Sequence, residues 1–349
     1  MAAVEVDEVR DYRAALHEAL AAVVAQLPEF TVDRVAAVGH RVVHGGPQSQ
    51  PARVIDAGLL SEIGTYAAFD PEHTPAALAM IDAARRMMPR AMHVACFDTA
   101  FFHDLPRVAQ MIALPRRFEV LGLRRYGFHG LSYEYLLGEL VHRYPAARDE
   151  KIVFAHLGSG ASLAAVAGMQ PIDTTMGFTP TSGIVMSSRS GDLDPSIIGF
   201  LQKQTGLSVD AWTHMVNQES GLLGVSGQSA DMYTLIKSEA DGNQAAAEAV
   251  ALFVYRVQKS IGEMTAAMGG IDRLVFSGGI GEKSAVLRRR IVDQLAYLGL
   301  RLDRASNDRE LSGEMMIAAP ESRPIHVIHT NENQILARYV RQLLHENND

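Results

Sequence analysis

The 349 residues contain a single cysteine, Cys96. No intramolecular disulfide can form, which fits a reducing compartment rather than an oxidising one. Excess positive charge is missing too. The formal net charge is −8, so nucleic acid or an anionic membrane surface is a poor partner. A local basic cluster can still hold a small anion. No apolar run approaches the roughly 18 residues that a membrane span requires. The richest stretch, 152–166, is interrupted by His156, two glycines and serines. Residues 1–9 show no basic leader followed by an apolar stretch, so no secretory signal is expected. There is no short-period repeat and no low-complexity linker. Two common nucleotide signatures are also lacking. The spacing to Lys-Ser/Thr of a Walker A loop is absent, and no convincing dinucleotide fingerprint occurs.

What is present suits a folded, two-core protein. The hydrophobic share is 48% and the charged share 21%, over a length at which single cores usually divide. Apolar residues Tyr12, Leu16, Leu20, Val23 and Leu27 recur with helical spacing and predict an amphipathic helix over 9–27. Residues 35–38 read as a buried strand that ends at Gly39-His40-Arg41. Residues 74–88 read as a helix with Pro75 near its start. His93 to Phe97 reads as a strand that delivers Asp98 to its end. Residues 152–155 and 162–166 flank a Gly-Ser-Gly turn and predict a hairpin. Residues 244–268 form the strongest helical pattern, with Val250, Phe253, Val254, Val257, Ile261 and Met264 facing a core and Gly269-Gly270 as the stop. Leu274 to Phe276 and Ile325 to Ile328 read as further strands, and a helix closes the chain. Strands and helices alternate throughout, so the fold class is α/β with more than one domain.

Polar, glycine-rich segments follow directly on apolar strands in five places, which is where open α/β sheets gather their ligands. In GHRVVHGG (39–46), Arg41 either clamps a carboxylate or phosphate in fork geometry or pairs structurally with an acid. In FDTAF (97–101), Asp98 suits a metal or a reacting proton, or else caps a helix. In RRYGFHG (124–130), His129 lies between an aromatic residue and a glycine, so its ring either reaches an open cleft or is a satisfied structural group. In HLGSGAS (156–162), the glycines let backbone N–H groups approach phosphate oxygens, although an ordinary hairpin has the same look. In SGGIGEK (277–283), a strand enters a glycine turn and then a helix, a common nucleotide-binding geometry. Arg189, flanked by small residues in SRSGDLDP (188–195), is either a free guanidinium or a solvated loop residue.

The order of these pieces is more telling than any one of them. GHRVVHGG, FDTAF, RRYGFHG, HLGSGAS, DTTMGFTP, SRSGDLDP, GLLGVSG, SGGIGE and HTNENQILAR run along nearly the whole chain in the sequence that the acetate kinase family shows. The chain resembles that family. The resemblance implies an actin-like and sugar-kinase-like fold of two domains, each a mixed sheet flanked by helices, with nucleotide in the cleft between them. It places residues 1–99 plus 334–349 in the first domain and 100–333 in the second. It implies a cytoplasmic homodimer that uses Mg²⁺ and makes acyl phosphate from ATP and acetate or propionate, reversibly, with ADP and acetyl phosphate as the other pair.

Carried over residue by residue, Arg41 holds the carboxylate substrate, and Asp98, His129 and Arg189 are catalytic. His156, Leu157, Gly158, Ser159 and Gly160, with Gly279, Ile280, Gly281, Glu282 and Lys283, line the ATP phosphates. Asp231, Met232 and Tyr233 lie near the nucleoside, and Glu332 helps hold Mg²⁺. These residue types match the chemistry, because phosphoryl transfer rests on positioning and charge neutralisation. The acceptor carboxylate is already ionised at neutral pH and needs no general base, so Asp98 is expected to orient Mg²⁺ or a water.

The sequence also departs from the family. It contains no Asn-x-Gly-Ser-Ser-Ser-x-Lys segment, the family's opening metal and phosphate loop. The first sheet is therefore expected to lack its leading strands, with open edges and weak or no turnover from a chain of this length. Glu72 stands where an apolar residue usually lines the substrate's methyl pocket. Ser159 replaces an Asn, Leu131-Ser132-Tyr133 replaces Thr-Ser-His, and Ala230-Asp231-Met232-Tyr233 lacks an Arg near adenine. Tyr233 either stacks on a base or belongs to the core. The missing segment and Glu72 favour a silent nucleotide- or partner-binding paralogue, while the presence of Arg41, Asp98, His129, Arg189 and Glu332 speaks against it. The other departures bear on nucleotide choice and on acetate against propionate or butyrate as acceptor.

Overall fold

The computed structural model describes residues 12–27, 29–47, 50–71, 73–309 and 313–347. Residues 9–11 of the first expected helix, the opening of the chain and Glu72 lie outside the described residues. The chain divides into two compact units, Met1–His103 with Glu332–Asp349, and Asp104–Asn331.

The first unit carries a three-stranded sheet of β1 (Ala37–Val42), β2 (Ala52–Val54) and β3 (Met92–Phe97) in the order β1-β3-β2. β1 runs parallel to β3 and β2 runs antiparallel to it. The helix Ala57–Thr65 starts where the Asp56 side chain accepts from Leu59 N–H at 2.7 Å. With the helix Thr74–Met87 it closes a core of Val42, Ile55, Leu59, Ile63, Ile81, Ala95 and Phe97. The C-terminal helix Glu332–Glu346 packs on β1. A Cβ added to Gly39 would lie 3.1 Å from Val340 Cγ2, so glycine sets that close approach.

Two expectations change here. The strand anticipated at 35–38 occupies 37–42 instead, because Val35 N–H closes the short turn Val32–Arg34 and the pairing with β3 begins at Ala37↔Met92. Gly39, His40 and Arg41 therefore lie inside the strand, not beyond it. The first helix spans Tyr12–Gln26. Only Ala15 of it is buried, and Leu27 falls past its end and is exposed.

The second unit is built on a six-stranded mixed sheet, β6-β5-β4-β7-β9-β8. Its strands are β4 (Lys151–Leu157), β5 (Ala161–Ala167), β6 (Gln170–Thr174), β7 (Arg273–Ser277), β8 (Met315–Met316) and β9 (Ile325–Val327). β4 and β5 form the anticipated hairpin, while β4, β7 and β9 run parallel. β4 reads as an almost unbroken apolar run because it is covered on both faces. The helix Gln244–Met268 lies against β4, β5 and β6 with the anticipated apolar stripe buried. Asn243 caps its start and Gly269, at φ 66°, ends it. No described helix is long and apolar enough to cross a membrane.

Under β1 and β3 lie two stacked imidazoles. His40 Nε2 and His93 Nδ1 are 2.9 Å apart, and His93 Nε2 lies 3.1 Å from the Met88 carbonyl. A carbonyl only accepts, so His93 Nε2 carries hydrogen, its Nδ1 accepts, and His40 Nε2 donates. The tautomers follow from this network. Burial lowers the His40 pKa from 6.5 to about 4, reinforced by His93 and Arg85, and burial lowers His93 as well. A depressed histidine pKa means that the unfolded chain binds the proton more readily. The stabilisation is full above the unfolded pKa and is lost as pH falls toward the folded one. Denaturant midpoints at pH 7 and pH 5 should differ, with stability lower at pH 5 by about 2 kcal/mol from His40 alone. A flat profile over that range would rule out neutral burial of the pair.

Candidate active site

In the first unit, Arg41 and Asp98 are brought together by the parallel register, in which Val42 faces Phe97. Arg41 Nε and Nη2 donate to Asp98 Oδ2 at 3.1 and 2.5 Å. Glu332, the first residue of its helix, adds a second carboxylate 3.4 Å from Arg41 Nε. The Asp98 charge raises the Arg41 pKa, with Glu332 adding to it against the opposing effect of burial. The structural pairing with acids is present, and the Arg41 side chain remains 41% exposed. Among the described residues Nη1 makes no hydrogen bond. Asp98 is not a helix cap. The turn Ala100–Phe102 is preceded by Thr99, and Thr99 Oγ1 accepts from Gly45 N–H instead. Asp98 is fully buried, and its Oδ1 has no partner among the described residues. A buried carboxylate oxygen left unpaired is expensive, so this atom calls for a cation or a water.

In the second unit the site grows from two neighbouring strand ends. β4 and β7 pair so that His156 faces Ser277. β4 then enters Gly158-Ser159-Gly160, and β7 enters the short helix Gly278–Lys283. The two turns touch: a Cβ on Gly158 would lie 3.9 Å from Gly279 N. Gly278 has φ 76°, and a side chain there would come within 2.7 Å of the Leu157 carbonyl, so glycine is required. Gly279 is exposed, with open space where a side chain would stand.

His129 and Arg189 converge on the hairpin. A Cβ on Gly160 would lie 3.2 Å from His129 Nε2 and 3.7 Å from Arg189 Nη1. The loop bearing Arg189 is tied to the same turn by Ser187 N–H, which donates to Ser159 O at 3.1 Å. His129 holds φ 60°, unusual for a residue with a side chain. Its Nδ1 lies 2.9 Å from Ser162 Oγ, and Tyr133 Oη lies 2.6 Å from the same oxygen. The Tyr133 hydroxyl is fully buried. Burial raises its pKa, while its bonds to Ser162 and to the His156 backbone pull the other way. Ser162 Oγ thus links the Tyr133 hydroxyl to His129 Nδ1 and holds the ring so that Nε2 borders Gly160.

Tyr133 and Ser162 were not among the sequence-derived site residues. Ser162 stands two residues past Gly160, on the strand side of the turn, and Tyr133 one helical turn past His129. That spacing is the only trace of the link in the sequence. Asp231, Met232 and Tyr233 are placed elsewhere. Asp231 caps the helix Met232–Ala240 through Thr234, Met232 is buried, and Tyr233 is 79% exposed, so it is not a core residue. No hydrogen bond or ion pair among the described residues joins these three to the hairpin. Lys283 is exposed, and Glu282 is buried with its carboxylate occupied by its own unit.

Two abutting glycine turns, an imidazole and a guanidinium at the carboxyl ends of parallel strands point to a class: an α/β protein suited to binding a small oxyanion or phosphate. The known proteins narrow this. The pattern of the acetokinase family matches residues 2–338. An acetate kinase of Rhodopseudomonas palustris (strain TIE-1) is 44% identical over 316 residues, covering 90% of this chain and 78% of its own length. One from Clostridium novyi is 38% identical over 356 residues, covering 98% and 86%. The solved acetate kinase of Porphyromonas gingivalis superposes with a TM-score of 0.87 at 32% identity, covering 97% of this chain and 86% of that one. A solved propionate kinase from Francisella tularensis gives 0.87 at 35% identity, covering 95% and 85%. The chain belongs to the acetokinase family.

The convergence on Gly160 is open to a direct check. Gly160→Ala should reduce turnover by at least about tenfold, since a methyl group would press on His129 Nε2 and Arg189 Nη1. Thermal stability should change little, because the nearest neighbours are the side-chain ends of His129 and Arg189 rather than backbone. A variant with unaltered turnover would sever Gly160 from the reacting centre.

Proposed function

We propose that this chain transfers the γ-phosphoryl group of ATP to the carboxylate of acetate, reversibly, giving ADP and acetyl phosphate. The observation that carries the reading is the convergence of His129 Nε2 and Arg189 Nη1 beside the glycine hairpin. A phosphoryl group in flight spreads negative charge over its equatorial oxygens, and fixed donors stabilise that charge without reorganising. Backbone N–H groups of the two glycine turns cradle the nucleotide phosphates. Arg41 orients the acceptor carboxylate through the edge of its guanidinium that Asp98 and Glu332 leave open. The acceptor oxygen attacks phosphorus directly, and no proton has to be removed first. Acetate and propionate kinases share the fold at equal TM-score, so propionate is the second acceptor to try.

A divalent cation fits the first unit on one observation, the buried and unpartnered Asp98 Oδ1 beside the Glu332 carboxylate. Among the described residues no group of three or more His, Cys, Asp or Glu could hold a metal unaided. That suits Mg²⁺, which commonly takes one or two carboxylates and completes its shell with water and phosphate oxygens. When bound, Mg²⁺ would neutralise phosphate charge. Asp98 and Glu332 would hold it, and Asp231 to Tyr233 would flank the nucleoside. We further propose a cytoplasmic homodimer, as the family resemblance implies.

The test is acyl phosphate trapped as hydroxamate, with ATP, Mg²⁺ and either acetate or propionate. Turnover is expected with the wild-type chain, at a low rate because it carries no Asn-x-Gly-Ser-Ser-Ser-x-Lys segment. Arg189→Ala should lower kcat by about 10²–10³-fold, and Arg41→Ala should act chiefly on the carboxylate KM. Hydroxamate absent from every acceptor in the panel, at saturating nucleotide, would leave only a silent binding protein. If Asp98→Asn kept full turnover and Mg²⁺ affinity, the metal-orienting role of Asp98 would be wrong.

A further inference from the structure

Glu282 and Arg288 grip the nucleotide turn from opposite ends. Glu282 is 6% exposed and directs its carboxylate backward along its own short helix. Oε1 accepts from Gly278 N–H at 2.9 Å and Thr330 N–H at 3.3 Å, and lies 3.4 Å from Ser277 Oγ. Oε2 lies 2.6 Å from His329 Nδ1. One carboxylate therefore fastens the exit of β7 to the exit of β9. Arg288 is 2% exposed. Its Nη1 donates to the carbonyls of Gly281 at 2.9 Å and Glu282 at 2.7 Å. Its Nε and Nη2 donate to Asn307 Oδ1 and Asn307 O, both at 2.8 Å. Burial lowers the Arg288 pKa to about 10 against the opposing pull of the Asp308 carboxylate. A cation this buried is costly, so its bonds must return something.

What they return is a rigid turn. Gly278–Lys283 contains three glycines in six residues and leaves Gly279 open to solvent. Such a segment loses much conformational entropy when a ligand orders it. The acid sits at the N–H end of the short helix and the base at its carbonyl end, each matching the local dipole. With these contacts made, neither charged group is free to meet a phosphate.

We propose that Glu282 and Arg288 are positioning residues that clamp the two ends of the Gly278–Lys283 turn, holding its backbone N–H groups ready for the nucleotide. Glu282 is thereby moved from the ligand-lining set to the support beneath it. The nucleotide as ligand rests on the phosphoryl-transfer reading; the clamp itself does not.

The test pairs a measurement that needs no activity with one that does. Amide hydrogen exchange across 277–283 is followed on the full ligand-free chain for wild type, Glu282→Gln and Arg288→Lys. Glu282→Gln keeps shape and an acceptor oxygen but loses the charge that strengthens these bonds, so it folds if Arg288→Lys does not. Exchange is expected to rise about tenfold in each variant. If the turn is then competent a tenth of the time, the ATP KM rises about tenfold, with the acetate KM and kcat within about twofold. Unchanged exchange overturns the clamp. So does faster exchange with an unchanged ATP KM, which would make the pair merely structural. A fall in kcat alone in Glu282→Gln also overturns it, because that result puts Glu282 on the reacting atoms. If wild type forms no acyl phosphate, the kinase reading fails by itself, and the exchange result still decides the clamp.

Discussion

The in-register parallel pairing of β4 with β7 is the constraint on which the second unit's chemistry depends. It sets His156 opposite Ser277, so two strands separated by more than a hundred residues end at the same level. Each then turns on glycine. Because Gly278 takes a left-handed conformation against the Leu157 carbonyl, the turns abut rather than diverge. A slip of one residue would send alternate side chains to the opposite face and pull the hairpin away from the Gly279 amide. The apolar cover from the helix Gln244–Met268 fixes that register, since β4 and β5 are buried almost end to end.

Charge placement follows from that scaffold. On the second unit the imidazole of His129 is held by hydroxyl groups, with Ser162 Oγ between its Nδ1 and the buried Tyr133 hydroxyl. On the first unit the logic is reversed. Two carboxylates converge on one guanidinium, and the more buried of them keeps an oxygen in reserve. Arginine suits this position because its planar fork can serve an acid on one edge and a ligand on another.

Much of this was legible in the chain. The helix 244–268 was readable to the residue because a long apolar stripe and a glycine pair at its end agreed. The β4–β5 hairpin and the strands before Asp98 and Ser277 were equally plain. The first strand was misjudged by two residues at its start and four at its end: Val35 to Val38 is the more apolar run, but pairing with β3 and the turn at Val32 decide where the ladder begins. The stripe on the first helix overstated burial, because half-covered positions carry the same residues as buried ones. Among site residues, Asp98 stood out directly after an apolar strand, and Arg41, His129 and Arg189 as charged or titratable groups near glycine or small residues. Tyr133 and Ser162 did not, since a tyrosine and a serine at helical and strand spacing look like any others.

Local pattern by itself determined the element types, the glycine turns and the set of charged groups available for chemistry, because propensity and conformational freedom reside in neighbouring residues. Motif order along the chain determined the family. Only the tertiary structure decided which groups work together. It joined Arg41 to Asp98 across 57 positions of sequence, set Gly160 beside His129 and Arg189, and turned the Glu282 carboxylate inward. Those outcomes depend on strand register and on which polar atoms burial leaves unsatisfied, and neither quantity exists until the sheets are assembled.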